Sequence, residues 1–170
     1  MSDINLSIAL NLNEIVNLGI YYPAESTKAP QINDKYVHLL SLNGNSFQDY
    51  GGKDATIDDI QLDDKVNLTV VNYAEYNSVL SAVLINYTVE NPKNFVSTPK
   101  VSLQSVNRQI ITDSINIESS MMPTIAQLYY WTYDIKGFNN AETFKGLLKI
   151  YKDKAELGYA YFKHSMTFKP

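Results

Sequence analysis

Apolar and polar residues alternate along much of the chain, and this period of two predicts β-strands. In the opening segment DINLSIALNL, one parity carries Ile4, Leu6, Ile8 and Leu10, and the other carries Asn5, Ser7 and Asn11. The closing segment GYAYFKHSMTFKP alternates in the same way, with Phe162, His164 and Met166 on one face. Because successive side chains of a strand point to opposite faces, both segments predict strands with one apolar face.

The strands predicted between these two ends are closely spaced and are separated by proline, glycine and asparagine, which are typical of turns. Segment 35–42 is apolar on both parities and is therefore predicted inside a sheet. This spacing, without regular alternation of strands and helices, predicts an all-β fold: an antiparallel β-sandwich with at most one or two short helices.

A single domain is predicted over residues 1–170. The other predicted strands cover residues 55–60, 65–73, 78–89, 100–106, 108–117 and 124–135. The last of them would place Ile125, Tyr129, Trp131, Tyr133 and Ile135 on a single face.

Two segments also show helical spacing. NEIVNLG predicts a short helix capped by Asn13 and stopped by Gly19. Residues 140–156 fit both a helix with Asn140 as its cap and an alternating strand. The helical match is slightly better, although a glycine inside a helix costs about 1 kcal/mol. The helical set is Phe144, Leu147, Leu148, Tyr151 and Ala155, whereas the strand set is Phe144, Gly146, Leu148 and Ile150.

Composition narrows the possible classes of protein. Of the 170 residues, 45% are hydrophobic and 19% are charged, which is typical of a globular chain. The net charge of −4 argues against a nucleic-acid partner and against binding to an anionic membrane. The absence of cysteine excludes disulfides and thiolate zinc sites.

The predicted location is the cytoplasm. The first basic residue is Lys28, so the N-terminus lacks the charged region of a secretory signal. No apolar run approaches the ~20 residues that a membrane-spanning helix requires.

A run of aspartates offers one candidate metal site. The carboxylates between Asp54 and Asp64 could collect calcium, which prefers oxygen ligands. The spacing of a calcium-binding loop is absent, however, and aspartate is common in turns because its side chain bonds nearby backbone amides. The pattern favours turn residues and leaves calcium open. The run consists of Asp54, Asp58, Asp59, Asp63 and Asp64.

The two histidines, His38 and His164, both fall in predicted strands. A metal site built on both would require their strands to be neighbours. His164 shares its parity with apolar residues, which favours packing in the core with the ring tip hydrogen-bonded.

No motif of an enzyme is present. The chain lacks a nucleophile elbow, a phosphate-binding loop and a dinucleotide-binding fingerprint. A scattered Ser–His–Asp triad stays open, but nothing in the pattern indicates one. No catalytic residue, metal ligand or cofactor is predicted.

Aromatic residues are unusually abundant, with thirteen tyrosines. The loop Asn43–Gly52 combines aromatic and polar residues with glycine, so it could bind a carbohydrate by ring stacking and hydrogen bonds to hydroxyls. An ordinary hairpin loop is the alternative. The candidate ligand-binding residues are Asn43, Asn45, Phe47, Asp49 and Tyr50.

Several segments resemble the PixA/AidA inclusion-body protein family. IYYPAESTKAP followed by KYVHLLSLNGN is similar to the opening of that family, and IDDIQLDDKVNLTV to its strand, acidic turn and strand. YYWTYDI and FKGLLKIYKDKAELGYAYFKHSMTF resemble its closing region. The resemblance implies an immunoglobulin-like β-sandwich, a bacterial origin, expression linked to cell density or host association, and a strand at 140–156. It supplies no catalytic residues.

The chain departs from that family in two respects. The family usually has Gly-Asp and then Trp-Arg in the central strand, where this chain has Asp63-Asp64 and NLTV. PixA itself is associated with methionine-rich inclusions, whereas this chain has four methionines, which argues against simple storage.

Two functions are therefore expected as alternatives. The first is a non-enzymatic protein that forms homo-oligomers by pairing of exposed edge strands. The second is a lectin-like module whose carbohydrate ligand binds at the Asn43–Gly52 loop.

Overall fold

The computed structural model describes residues 2–41, 47–49, 54–73, 79–111 and 121–170. Within these ranges the chain forms ten strands, one α-helix and two short 3-10 turns, at Ser26–Lys28 and Asp34–Tyr36. The elements are β1 (Asp3–Leu10), α1 (Leu12–Asn17), β2 (Val37–Ser41), β3 (Phe47–Asp49), β4 (Asp54–Ile57), β5 (Lys65–Asn72), β6 (Leu80–Glu90), β7 (Lys100–Ile111), β8 (Met121–Asp134), β9 (Ala141–Lys152) and β10 (Ala155–Phe168).

The strands form two five-stranded sheets that pack face to face, which confirms the predicted all-β sandwich. Sheet A has the order β2-β1-β5-β8-β7, and sheet B has the order β3-β4-β10-β9-β6. The prediction that all strands are antiparallel needs correction, because β1 pairs with β5 and β4 pairs with β10 in parallel. The chain enters sheet B at β3 and β4 before β5 returns to sheet A. Such a crossover allows β5 to run beside β1 in the same direction.

The core lies between the sheets, and β9 and β10 show how the pattern builds it. Every second residue of β9 is buried from Glu142 to Ile150, and every second residue of β10 from Gly158 to Phe168. Full burial of a large apolar side chain stabilises the fold by about 1.5–3 kcal/mol. Residues 140–156 therefore contribute a strand, as the family resemblance implied, because only a strand buries the whole alternating set.

The short helix is present, but its cap is not the predicted one. The side chain of Asn11, and not that of Asn13, accepts a hydrogen bond from the Glu14 amide at 3.1 Å. Gly19 follows the helix with φ of +66°, as expected for a residue that ends a helix. Leu12 and Ile15 bury the inner face. No helix among the described residues has the length and apolar character needed to cross a membrane.

Two strand predictions also need correction. The segment predicted at 35–42 begins as a 3-10 turn, and its strand β2 lies at the edge of sheet A. Both parities of this segment are apolar, yet Leu39 is buried and Leu40 is exposed. The prediction of a central strand from hydrophobicity alone was therefore wrong. The predictions at 100–106 and 108–117 merge into β7, which runs to Ile111. Residues 112–117 lie outside the described part.

Candidate functional site

β7 and the first part of β8 form a two-stranded ribbon that extends from the sandwich. The two strands are paired from Lys100 opposite Thr132 to Ile111 opposite Met121. β8 pairs with β5 only from Trp131, which lies opposite Leu68, to Asp134, which lies opposite Lys65. The part of β8 before Trp131 therefore has a described partner on one side only. We call residues 100–111 and 121–130 the β7–β8 ribbon.

The predicted residues share a single face of β8, but this face is buried only at one end of the strand and is exposed at the other. Ile135, Tyr133 and Trp131 are buried, whereas Ile125 is 72% exposed. On β7, Leu103 lies opposite Tyr129 and shares this face with Ile125. The continuation of the core-facing side is therefore open to solvent. We call its exposed apolar residues the ribbon patch: Val101, Leu103 and Ile125, which are 54%, 68% and 72% exposed.

β7 is also an edge strand, and its sequence offers little to block a further strand. Natural edge strands commonly carry several lysines, prolines or bulges that prevent pairing with another chain. The twelve residues of β7 contain Lys100 and Arg108 as their charged residues and no proline. β7 and β8 pair without a register shift. β7 is thus a long, regular edge beside an exposed apolar patch.

At Leu84, side chains of sheet A bond the backbone of β6, which lies at the corresponding edge of sheet B. A bulge interrupts the pairing of β6 between Leu84 and Asn86. The Leu84 amide donates to the Tyr129 hydroxyl oxygen at 2.9 Å, and Trp131 Nε1 donates to the Leu84 carbonyl oxygen at 2.9 Å. Burial raises the pKa of Tyr129, so the hydroxyl stays neutral. These two bonds also fasten the base of the ribbon to sheet B.

His164 is a core residue, which confirms the packing interpretation. Its Nε2 lies 2.7 Å from the Tyr87 hydroxyl oxygen. Its ring stacks between Phe144 and Phe162, with centroid distances of 5.3 and 5.9 Å. Its other ring nitrogen, Nδ1, is buried and has no hydrogen-bond partner among the described residues. Burial in this aromatic stack lowers the pKa of His164 to about 3, so the ring is neutral.

The two histidines do not converge. His38 lies on β2 of sheet A and packs its ring against Tyr73, whereas His164 lies on β10 of sheet B. Across the described ranges, no three residues of the types that bind metals are grouped so as to hold an ion.

The aspartates after Asp54 lie in the connection between β4 and β5, and three of them, Asp58, Asp63 and Asp64, contact other groups of the chain. Asp64 is buried and accepts hydrogen bonds from the backbone amides of Ser2 and Gln61, at 2.6 and 2.9 Å. Burial opposes its ionisation, but these hydrogen bonds outweigh burial and lower its pKa. Asp59 and Asp63 have positive φ, and Asp63 also pairs with Lys136. These positions and contacts agree with the interpretation of the aspartates as turn residues. The side chain of Asp54 is not among the described parts of the structure.

The loop predicted to bind carbohydrate is only partly described. Asn43, Asn45 and Tyr50 lie outside the described residues. Phe47 and Asp49 belong to β3, which pairs with β4, but nothing is described of their side chains. The carbohydrate site at Asn43–Gly52 therefore stays a prediction.

One structural carboxylate was not anticipated from the sequence. Glu142 is buried on β9 and accepts hydrogen bonds from the backbone amides of Lys93 and Phe95, both at 3.0 Å. Asn91 and Asn94 have positive φ in the same connection. The pattern of β9 contains a signal for it, because Glu142 is the one charged residue among the alternate buried positions from 142 to 150.

The chain is similar to known proteins both in sequence and in fold. The chain matches the model of the PixA family, described as inclusion body protein, over residues 2–168. It resembles the crystal structure of an inclusion body protein of the PixA family from Burkholderia cenocepacia J2315, with a TM-score of 0.73 and 12% sequence identity. That alignment covers 98% of this chain and 95% of the other and shows a shared fold. No curated protein sequence matches the chain. Because the family match spans nearly the whole sequence, the chain belongs to the PixA inclusion body protein family.

Proposed function

We propose that this protein is a non-enzymatic, self-associating member of its family, in which the β7–β8 ribbon of one copy packs against the ribbon of a second copy. The observation that carries the proposal is the ribbon patch, whose apolar side chains lie on the core-facing side of β7 and β8 yet are exposed. The family description as inclusion body protein supports assembly as its general role. A bacterial origin and a cytoplasmic location are part of the same proposal.

The energetics favour a covered ribbon. A two-stranded ribbon by itself is only marginally stable in water. Leu103 and Ile125 are among the most exposed large apolar residues of the described chain. Burying such a side chain contributes up to about 1.5–3 kcal/mol, and a two-fold interface buries each residue twice.

A second copy of the chain fits this surface better than a charged partner. The ribbon patch is apolar, the Ser105–Gln127 pair between Leu103 and Ile125 is polar but uncharged, and β7 adds backbone groups along an edge that no described strand covers. An identical β7 supplies both an apolar patch and an unpaired edge, so the same residues can meet across a two-fold axis. The residues of β7 that share the parity of Val101 and Leu103 are all uncharged, so this side of the strand brings no like charges together when two copies meet.

Sedimentation velocity across a wide concentration range tests the proposal. The wild type is expected to shift from monomer to dimer as concentration rises. The double variant Leu103→Lys/Ile125→Lys is expected to weaken association at least about tenfold, equivalent to about 1.4 kcal/mol. Leu62→Lys is the matched control, because Leu62 is also exposed but lies in a turn away from the ribbon.

The control variant should associate like the wild type. A wild type that stays monomeric at every concentration would exclude self-association. If Leu62→Lys weakened the dimer as much as the ribbon variant, the interface would not be the ribbon patch.

A further inference from the structure

Residues 22–31 cross beside β10 and form a strap that is anchored at both ends. Tyr22 and Tyr159 exchange backbone hydrogen bonds of 2.8 and 3.0 Å. At the other end, the Tyr161 amide donates to the Pro30 carbonyl at 2.9 Å. Gly158 permits this approach, since a Cβ there would come within 2.5 Å of the Tyr22 carbonyl oxygen. The strap is thus held in a defined position along β10.

Between these anchors, the strap and the outer face of sheet B enclose a groove of about 250 Å³. Its walls carry hydrogen-bonding groups from four separate elements of the chain. The strap contributes hydroxyls, β6 contributes an amide and a hydroxyl, β9 an ammonium and β10 a phenol. The polar lining residues are Ser26, Thr27, Asn86, Thr88, Lys145 and Tyr161.

No carboxylate of the described residues pairs with the lysine that lines this groove. Three lysines lie on the outer face of sheet B. Lys149 forms an ion pair with Glu156 at 2.7 Å, and Lys163 forms one with Glu90 at 2.9 Å. Within the described ranges Lys145 has no carboxylate partner, and its ammonium lies 4.3 Å from the centre of the Tyr161 ring.

The Tyr161 ring holds this ammonium in place. Its hydroxyl donates to Gln31 Oε1 of the strap at 3.2 Å, which fixes the ring between the strap and Lys145. The cation–π contact with Lys145 then orients the ammonium at the groove. A lysine that is positioned beside hydroxyls and an amide, but lacks a carboxylate, is suited to bind an external anion.

We propose that this groove binds a monosaccharide-sized ligand that carries one carboxylate, sulfate or phosphate group. Lys145 receives the anionic group through a charge-assisted hydrogen bond, and the hydroxyls of Ser26 and Thr27 with the Asn86 amide bond the sugar hydroxyls. The volume is at the small end of ligand sites, which favours a single sugar unit over an oligosaccharide. This site is separate from the ribbon patch and does not depend on self-association.

Isothermal titration of the full chain with glucuronate, glucose 6-phosphate, glucose and inorganic phosphate tests the proposal. The two charged sugars are expected to bind at least about tenfold more tightly than glucose, because glucose lacks the anionic group. They are also expected to bind more tightly than inorganic phosphate, which lacks the sugar hydroxyls. Lys145→Gln should lose about tenfold in affinity for both charged sugars.

Lys152→Gln is the matched control, since Lys152 is an exposed lysine at the end of the same strand. It should bind like the wild type. Circular dichroism melts of both variants establish that each is folded. The proposal would be overturned if neither glucuronate nor glucose 6-phosphate bound, or if inorganic phosphate bound as tightly as the charged sugars. It would also be overturned if Lys145→Gln bound the charged sugars with the affinity of the wild type.

Discussion

Trp131 donates its indole N–H to the carbonyl oxygen of Leu84 at 2.9 Å, and this bond joins the two sheets where β6 is bulged. Trp131 is the last buried residue on β8 before its core-facing side becomes exposed toward Ile125. The same contact therefore satisfies the Leu84 carbonyl of β6 and marks the base of the β7–β8 ribbon.

Trp131→Phe is expected to lower the free energy of unfolding by about 1–3 kcal/mol, because the Leu84 carbonyl loses its buried donor. The measurement is the urea midpoint at neutral pH. Tyr130→Phe is the control, since Tyr130 lies on the opposite face of β8, away from Leu84. If both variants unfolded at the wild-type midpoint, the bond would not stabilise the joint between the sheets.

The stability of the protein should depend on pH through His164. Its folded pKa of about 3 lies below the ordinary value of about 6.5 in an unfolded chain, so the unfolded state binds more protons between these values. Stability is therefore fully present above about pH 6.5 and falls as pH decreases, by up to about 1.4 kcal/mol per pH unit.

Urea unfolding between about pH 6.5 and pH 5 isolates this effect, because most carboxylates stay ionised there. His164→Gln is expected to be less stable than the wild type at pH 6.5 but to have a flatter dependence on pH. His38→Gln is the control, since this change leaves the buried ring of His164 in place. An unchanged slope in His164→Gln would show that the buried imidazole is not the source.

Gly146 and Phe162 should be coupled. A Cβ built on Gly146 would lie 2.2 Å from Phe162 Cζ, so the ring occupies the space that the glycine leaves. Gly146→Ala is expected to cost about 1–3 kcal/mol of stability through overpacking. In a Phe162→Leu background the same change should cost less, and the double-mutant cycle in urea measures the difference. Additive costs would mean that the two residues are not in steric contact.

Much of the strand content was predictable because it depends on local periodicity. A strand alternates its side chains between two faces, so the pattern of the closing segment indicated both the strand and its buried face. The opening pattern indicated the strand and the burial of Ile4 to Leu10, but not that Ser7 and Ala9 on the other face are buried as well. The same rule predicts His164 in the core from its parity alone, whereas its partner Tyr87 is 77 residues away in the chain. Residues 140–156 were ambiguous because helical and strand patterns coincided there. Packing against β10, where Gly146 meets Phe162, decided the strand.

Pairing and exposure were decided by tertiary structure, because they depend on residues far apart in the chain. Periodicity carries no information on strand neighbours, so the parallel pairing of β1 with β5 and the edge position of β2 were not predictable. Periodicity placed Ile125 and Trp131 on one face, but burial requires an opposing sheet, and that sheet covers Trp131 and leaves Ile125 exposed. In the same way, the strap and three strands meet at Lys145 only after folding. Local sequence determines which face a side chain takes, and the assembled sheets determine whether anything covers that face.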